Sequence, residues 1–396
     1  MGHFDDIVIG SGLAALGTVL GLAPARRVLV LGGEQVGRFS HYDARGAVPC
    51  AYSGLGGLGG YWHGVIPFSR QHDVEGGDSA AFATLFKRFY PRVPIDDWMG
   101  RPALFVPWKP IRPATELAAL AASRGGALTI LPALATAIRM TPDGAQVGST
   151  AGSFSARHVW VAAGALHTPA LLATSFGPAV RRTHVADHVL SYVGQVDGAT
   201  TPRTHRTPQG VFFPAHHDEG RTALYTLRPA RFSFRQLDHG IEQRAAFGLP
   251  TGNAVAKVMR SMSPGLLAEA FYNRFGLFAK APRYSIYAQT PVDCAYALGD
   301  GVTPLTPDTA LIEASSQQAR IRQPFAGAVL SQRPDLYIPG IHLHHSLNTD
   351  ALHAAGINRA GDAVQVVDAA ALSHIGSEHH SFKMMTAAYR RAQAAA

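Results

Sequence analysis

The sequence predicts an α/β protein with a nucleotide-binding lobe and a second, interleaved α+β lobe built on an antiparallel sheet. Three observations carry that reading. Residues 1–35 form a β-α-β unit with glycines at its first turn. Residues 127–140 read as strands, and 142–164 as a small antiparallel meander ending in a buried strand. Irregular sequence then fills 195–335, before apolar strand, loop and helix return near the end.

The opening unit is the most explicit. Ile7-Val8-Ile9 is short, apolar and β-branched, which suits a buried parallel strand. Gly10-Ser11-Gly12 follows with no spacer, and Leu13 to Leu20 reads as a helix packed on that strand. Val28-Leu29-Val30-Leu31 supplies the second strand. Gly10, Gly12 and Ala15 fall as G-x-G-x-x-A, the dinucleotide fingerprint. Glycine permits the tight turn and lets backbone N–H groups approach a pyrophosphate, which the helix N-terminus then faces. The acid that ordinarily ends the second strand and binds the adenosine ribose is missing. Gly32 stands there, and Glu34 comes two residues later. Either Glu34 reaches the ribose from a displaced loop, or backbone groups and water replace it.

Residues 54–64 form a second glycine-rich loop. Residues 70–112, with prolines at 91, 94, 102, 107 and 110, read as a lid or connector, and 114–125 as a helix. Asp143-Gly144 supplies a hairpin turn. Thr168-Pro169 starts a helix, with Thr168 as its cap. Strands are expected at 223–228, 284–290 and 309–314. Phe212, Phe213, Phe232, Phe234, Phe271, Tyr272, Phe275 and Phe278 are either an apolar pocket or core, with core favoured.

Bulk properties exclude several classes. The net charge is +8, but the basic residues are scattered, with short clusters only at Arg26-Arg27, Arg181-Arg182 and Arg390-Arg391. That pattern favours a mildly anionic substrate or partner over nucleic acid. Cys50 and Cys294, far apart, make no disulfide framework. Neither H-E-x-x-H nor paired-cysteine spacing occurs, so no metal site is expected. No signal-peptide pattern and no uninterrupted apolar stretch of membrane-spanning length is seen, so a cytoplasmic protein without a membrane span is expected. The sequence leaves the oligomeric state open.

Four separated segments together resemble the glucose–methanol–choline (GMC) family of FAD oxidoreductases. They are Gly10 to Ala15, "GLGGYWHG" at 57–64, "ARHVWVAAGALHTPALLATS" at 156–175, and "VQVVDAAALSHIGSEHHSFKMMTAAYRRA" at 364–392. "HVADHVLSYV" at 184–193 is a lesser echo of a short Asp-His stretch in the family. The resemblance implies a Rossmann-type FAD-binding domain from 1–70, 114–194 and 336–396, a lid or connector at 71–113, and a substrate-binding domain at 195–335. It implies FAD contacts from Gly10, Ser11, Gly12, Leu13, Ala14, Gly59, Gly60, Trp62, His63, Ala135, Ala163, Gly164, Asp368, Ala369 and His380, with Glu34 as the ribose candidate. Asp368 stands where a carboxylate bonds a ribityl hydroxyl, and the helix starting near His380 points its dipole at the flavin. Some relatives attach FAD through a His in the second loop; Tyr61 occupies that place here, so non-covalent FAD is expected.

Family members place two polar residues over the flavin, the second eleven residues after the closing Asp. Here that is His379. The first matches His345 in "HHSLNTDAL", with His344 as the alternative; His216, His217 and His342 look unremarkable. A neutral imidazole titrates in the right range to take a hydroxyl proton while hydride leaves for the flavin. The implied function is oxidation of a CH–OH group of a small or medium organic molecule. The alternatives are a specialised flavoenzyme of secondary metabolism (desaturation, oxidative cyclisation or a non-redox lyase) and a non-enzymatic escort protein.

Overall fold

The computed structural model describes residues 3–43, 47–68, 79–197, 204–217, 223–229, 271–272, 274–277, 280–281, 283–299, 302–304, 321, 325–330, 337–340 and 342–395. The predicted β-α-β unit is present as β1 (His3–Ile9), α1 (Leu13–Gly21) and β2 (Val28–Leu31). Next come β3 (Phe39–Asp43), β4 (Ala47–Tyr52), β5 (Ile66–Pro67), α2 (Ser79–Phe89), β6 (Ala103–Pro107), α3 (Pro113–Arg124) and β7 (Leu128–Leu131). The meander is β8 (Ala135–Thr141), β9 (Gly144–Ser149) and β10 (Gly152–Val161), followed by α4 (His167–Phe176).

β7, β2, β1 and β10 pair in parallel in that order. β9 and β8 extend the sheet antiparallel from the first half of β10. One face, with Val8, Val28, Val30 and Trp160, packs against α1 and the C-terminal helix; the other, with Ile7, Leu29, Val159 and Val161, packs against α4. Burial on both faces explains why these strands read as unbroken apolar runs.

The second lobe holds β11 (His184–Asp197), β12 (His205–Thr207), β13 (Gly210–Pro214), β14 (His216–His217), β15 (Leu224–Pro229), β16 (Arg283–Leu298), β17 (Val302–Pro304), β18 (Val329–Leu330) and β19 (Tyr337–Pro339). Its main sheet runs β14-β15-β16-β11-β18, with β11 and β16 long and antiparallel. Register shifts occur between Val185 and Asp187 and between Tyr192 and Gly194. A third sheet, β12-β13-β6-β5, joins the segment expected as a lid to the substrate segment. The chain closes with α5 (Thr349–Ala354), β20 (Val364–Val366), which pairs in parallel with β10, and α6 (Ser381–Ala394).

The strands expected at 223–228 and 284–290 are present; 309–314 lies outside the described residues. Two local expectations are corrected. The β8–β9 turn uses Pro142-Asp143, because Gly144 already pairs with Thr141. Gly144 is needed there for contact: a Cβ would lie 2.2 Å from the Ala156 carbonyl oxygen. Thr168 does not cap α4; it sits inside the helix and its hydroxyl donates to Asp368 at 2.6 Å. Of the described members of the aromatic set, Phe212 is core and stacks on Trp98 at 4.0 Å, Phe271 and Phe275 are exposed, and Phe213 and Tyr272 border the large cavity. Phe232, Phe234 and Phe278 lie outside the described residues.

The close packing of α1 on α6 depends on glycine. A Cβ on Gly17 would meet the Met385 carbonyl oxygen at 2.2 Å, and one on Gly21 the Tyr389 carbonyl oxygen at 2.3 Å. Backbone cannot rotate away as a side chain can, so Gly17→Ala is expected to cost about 1–3 kcal/mol through overpacking. Gly126→Ala, with nothing within 4 Å of the added carbon, should leave stability nearly unchanged. Urea midpoints of the two variants check the contrast.

Candidate active site

A cavity of about 1450 Å³ runs from the carboxyl ends of the parallel strands to the second sheet. Such a crevice is the usual ligand site of an open α/β sheet. It exceeds the roughly 300–1,000 Å³ of a pocket for one small molecule, leaving room for a cofactor and a substrate together. Gly10, Ser11, Gly12, Leu13, Ala14, Gly59, Trp62, His63, Ala135, Ala163, Gly164, Asp368, Ala369, His379 and His380 all line it. Glu34, Gly60 and His345 are not among the lining residues.

The two glycine loops are tied together by Ser11. Its hydroxyl donates to the Gly32 carbonyl at 2.6 Å and accepts from the Gly56 amide at 2.8 Å. Gly10, at φ +108°, lies so close to the end of β10 that a Cβ would sit 2.2 Å from the Ala162 oxygen. Gly12 has only the Gly56 oxygen within 4 Å of its added carbon, so the cavity side of this turn is open. Glu34 is occupied elsewhere: its carboxylate accepts from the Ser53 hydroxyl and lies 3.7 Å from Arg38. Gly32 and Gly33 line the cavity beside it. Asp368 is almost fully buried and accepts three hydrogen bonds, from the Gly164 amide at 2.7 Å, Thr168 at 2.6 Å and the Ala370 amide at 2.9 Å. Burial pushes its carboxyl up from the usual range, and these donors pull it back.

The far wall is dominated by imidazoles. His342 and His379 both line the cavity, edge to face with ring centroids 4.9 Å apart. His342 lies 5.5 Å from His380 and 5.3 Å from His188; His344 lies 6.3 Å from both His380 and His188. The Nδ1 atoms of His342, His379 and His380 are buried without a hydrogen-bond partner. His345 is placed differently. Its backbone turns left-handed at φ 54°, donates to the Ala369 carbonyl at 3.1 Å and accepts from Arg182 at 3.1 Å.

The sequence reading missed what positions this pair. Asp187, fully buried beside the first β11 register shift, accepts from the backbone amides of His342 at 2.6 Å and His188 at 2.7 Å, and from the Tyr296 hydroxyl at 3.0 Å. His188 bonds the Gly376 carbonyl through Nε2. A carbonyl can only accept, so Nε2 carries the proton and Nδ1 accepts from the Gln289 amide at 3.2 Å. That amide also donates to the Ser377 carbonyl at 3.0 Å. β11 and β16 thereby clamp both histidine-bearing loops. The signal available was period two: in "IHLHHSL" His342 and His344 alternate onto one side and His345 onto the other.

Burial makes the cluster neutral. Desolvation lowers His379 to about 3, with the nearby Arg228 guanidinium and the neighbouring His188 and His63 rings further disfavouring a second positive charge. Desolvation also lowers His344 to about 4, and takes His342 and His380 well below the ordinary imidazole range. Among the described residues, no group of His, Cys, Asp and Glu side chains is arranged to hold a metal ion. No helix among them is long and apolar enough to cross a membrane.

No protein-family model and no curated protein matches the sequence. Solved structures do. Pyridoxine 4-oxidase from Mesorbium loti superposes with a TM-score of 0.53 at 14% identity, covering 98% of each chain. A formate oxidase variant from Aspergillus oryzae gives 0.51 at 12% identity, over 99% of this chain and 98% of that one. A fungal aryl-alcohol oxidase gives 0.51 at 11%, again over 99% and 98%. The chain shares the fold of the GMC-type FAD oxidoreductases. At these identities the likeness carries the architecture, and the chemistry rests on the residues above.

The buried imidazoles give stability a defined pH dependence. In the unfolded chain each binds a proton near pH 6.5, whereas in the native state His379 and His344 bind one only near 3 and 4. Between those limits the unfolded state holds more protons, so stability is full above pH 6.5 and falls as pH drops. Each such group contributes a slope of about 1.4 kcal/mol per pH unit. Urea unfolding from pH 7.5 to 4.5 should show that fall, and His379→Asn should make it shallower by one proton.

Proposed function

We propose that the protein is an FAD-dependent oxidoreductase that oxidises a CH–OH group of a small organic molecule, with His379 and His342 as the acid/base pair and FAD held non-covalently. The observation that carries this is the juxtaposition, in one cavity, of an open dinucleotide turn and two half-buried imidazoles whose proton affinity desolvation lowers. The cradle fits FAD: Gly12 and Gly164 are glycines whose missing Cβ leaves room on the cavity side, and three buried imidazole nitrogens await partners. Gly10 to Leu13 and Gly57 to Gly59 would hold the diphosphate, Gly32, Gly33 and Ala135 the adenosine end, and Ala163, Gly164, Ala369 and His380 the ring end. FAD, when bound, supplies the hydride acceptor that protein side chains lack.

His379, neutral, is ready to take the hydroxyl proton at an imidazole nitrogen. His342 lies close enough to hydrogen-bond the same oxygen and hold it in place. The apolar lining, with Leu104, Val106 and Phe213, excludes water from that proton. The N-terminal end of α6, at Ser381, borders the cavity, and a helix N-terminus favours negative charge beside it. Tyr61 is half exposed in a cluster with Phe39 and Tyr52 and offers no imidazole for covalent attachment.

Purified protein should therefore be yellow or take up FAD, denaturation should release all of the chromophore, and an alcohol should bleach it anaerobically. His379→Ala should slow that bleaching by about 10²–10⁴-fold. His342→Ala should slow it clearly, and His345→Ala should leave it near the wild-type rate. Bleaching unaffected by His379→Ala removes that residue from the reaction.

A further inference from the structure

Beside His379 in the chain lies a buried ion pair. Glu378 and Lys383 are 1% and 8% exposed, and the Lys383 ammonium donates to the Glu378 carboxylate at 2.6 Å. The second carboxylate oxygen lies 3.3 Å from His217 Nε2, on β14. Burial pushes the Glu378 carboxyl up, and His217 and Lys383 more than offset that, holding it below its usual range. An ion pair in such a place is costly. Desolvation of the two charges offsets most of their attraction, and apolar residues of similar volume often serve a fold as well or better. Lys383 is also the third residue of α6, and a helix disfavours positive charge in its first turn. Stability alone does not account for the pair.

Its place in the chain suggests what it does. Three consecutive residues lead into His379, and different groups hold each of them. His188 donates to the Gly376 carbonyl, Gln289 donates to the Ser377 carbonyl at 3.0 Å, and the Glu378 side chain meets Lys383 and His217. Just beyond, the His380 carbonyl accepts from the Met384 amide at 2.8 Å. The first two contacts tie the start of this segment to β11 and β16, and the last ties its end to α6. Glu378 lies between them, one residue from the imidazole. Its His217 contact also reaches the strand end that carries Phe213 and Pro214, which line the cavity.

We propose that Glu378, clamped by Lys383 and His217, is a positioning residue that fixes the orientation of the His379 imidazole toward the substrate hydroxyl. This rests on the oxidoreductase reading and deepens it. Glu378 exchanges no proton with the substrate; it acts through the backbone that it shares with His379. Proton transfer needs the two heavy atoms within hydrogen-bond reach, and a misplacement of about 1 Å can cost about a hundredfold in rate. Charge-assisted hydrogen bonds are short, strong and directional, so they specify angle as well as distance, which apolar packing does less well.

The double variant Glu378→Gln/Lys383→Met separates position from stability, because it removes both charges at similar volume. Its thermal midpoint should equal or exceed that of wild type. In protein loaded with FAD, its limiting rate of anaerobic bleaching by an alcohol should nevertheless fall about tenfold to a hundredfold, with the half-saturating alcohol concentration little changed. Lys383→Arg, which keeps the ion pair, should retain most of the rate. A second readout needs neither flavin nor turnover. In a ¹⁵N-histidine NMR spectrum the His379 ring signals, assigned with His379→Asn, should be single in wild type and in Lys383→Arg, and split or broadened in the double variant as the ring takes more than one orientation. His379 signals unchanged in the double variant overturn the proposal whatever the rate does, and so does a wild-type bleaching rate. A protein that no alcohol bleaches contradicts the oxidoreductase reading, and the NMR comparison still decides whether Glu378 orients the ring. Should the double variant not fold, Glu378→Asp, which draws the carboxylate back by one methylene, takes its place, and unchanged His379 signals there overturn the proposal equally.

Discussion

The arrangement depends on one constraint: five imidazoles, of His188, His342, His344, His379 and His380, crowd together at the cavity wall, with His188, His344 and His380 buried and His342 and His379 half-buried. Desolvation and mutual repulsion lower the proton affinity of His342, His344, His379 and His380, which favours their neutral forms. Neutral imidazole can give one hydrogen bond and take one. His188 and His344 use these capacities internally, His188 on Gly376 and Gln289, His344 on the His342 carbonyl. His342, His379 and His380 each keep an unmet nitrogen facing this interior. A site that holds unprotonated bases without internal partners is prepared to meet a donor from a ligand.

Keeping such groups in register needs rigid support, and the long β11–β16 pair supplies it. Asp187 holds the His342 loop by its backbone rather than its ring, which fixes position without changing the ring's proton affinity through a direct bond. His188 and Gln289 hold the Gly376 and Ser377 carbonyls, just ahead of His379. The histidine-bearing loops flank β20 of the first sheet and their clamps lie on β11 and β16 of the second, so the cluster is assembled only where the two sheets meet. Glu378 adds a second tie, paired with Lys383 at 2.6 Å and with His217 of β14 at 3.3 Å.

Much of the fold was legible in the sequence because local rules agree with the tertiary structure over 1–35 and 127–164. β2 matches its predicted run end to end, since four consecutive apolar residues buried on both faces leave no ambiguity. The turn between β8 and β9 lies one residue earlier because Gly144 already pairs with Thr141, and both its φ of +142° and its approach to Ala156 call for glycine. At the site, the family resemblance implies His379, eleven residues after Asp368, and it does line the cavity. The other imidazole could not be reached: nothing in "IHLHHSL" says which alternating side faces inward until β11 is in place. Glu34 is the nearest acid in the sequence to the end of β2, but Ser53, distant in the chain, and the exposed Arg38 engage it. Asp187, Gln289 and Arg228 are isolated polar residues in strands, and only strand pairing reveals that they converge.

The most direct measurement is a ¹⁵N-histidine NMR titration of the protein, with the His379 signals assigned by comparison with His379→Asn. A ring kept uncharged by its dry surroundings should show the chemical shifts of neutral imidazole from pH 8 down to pH 5, without inflection. A midpoint for His379 near the ordinary pH 6.5 would mean that water reaches the ring, and that the account of how this site holds its base is wrong.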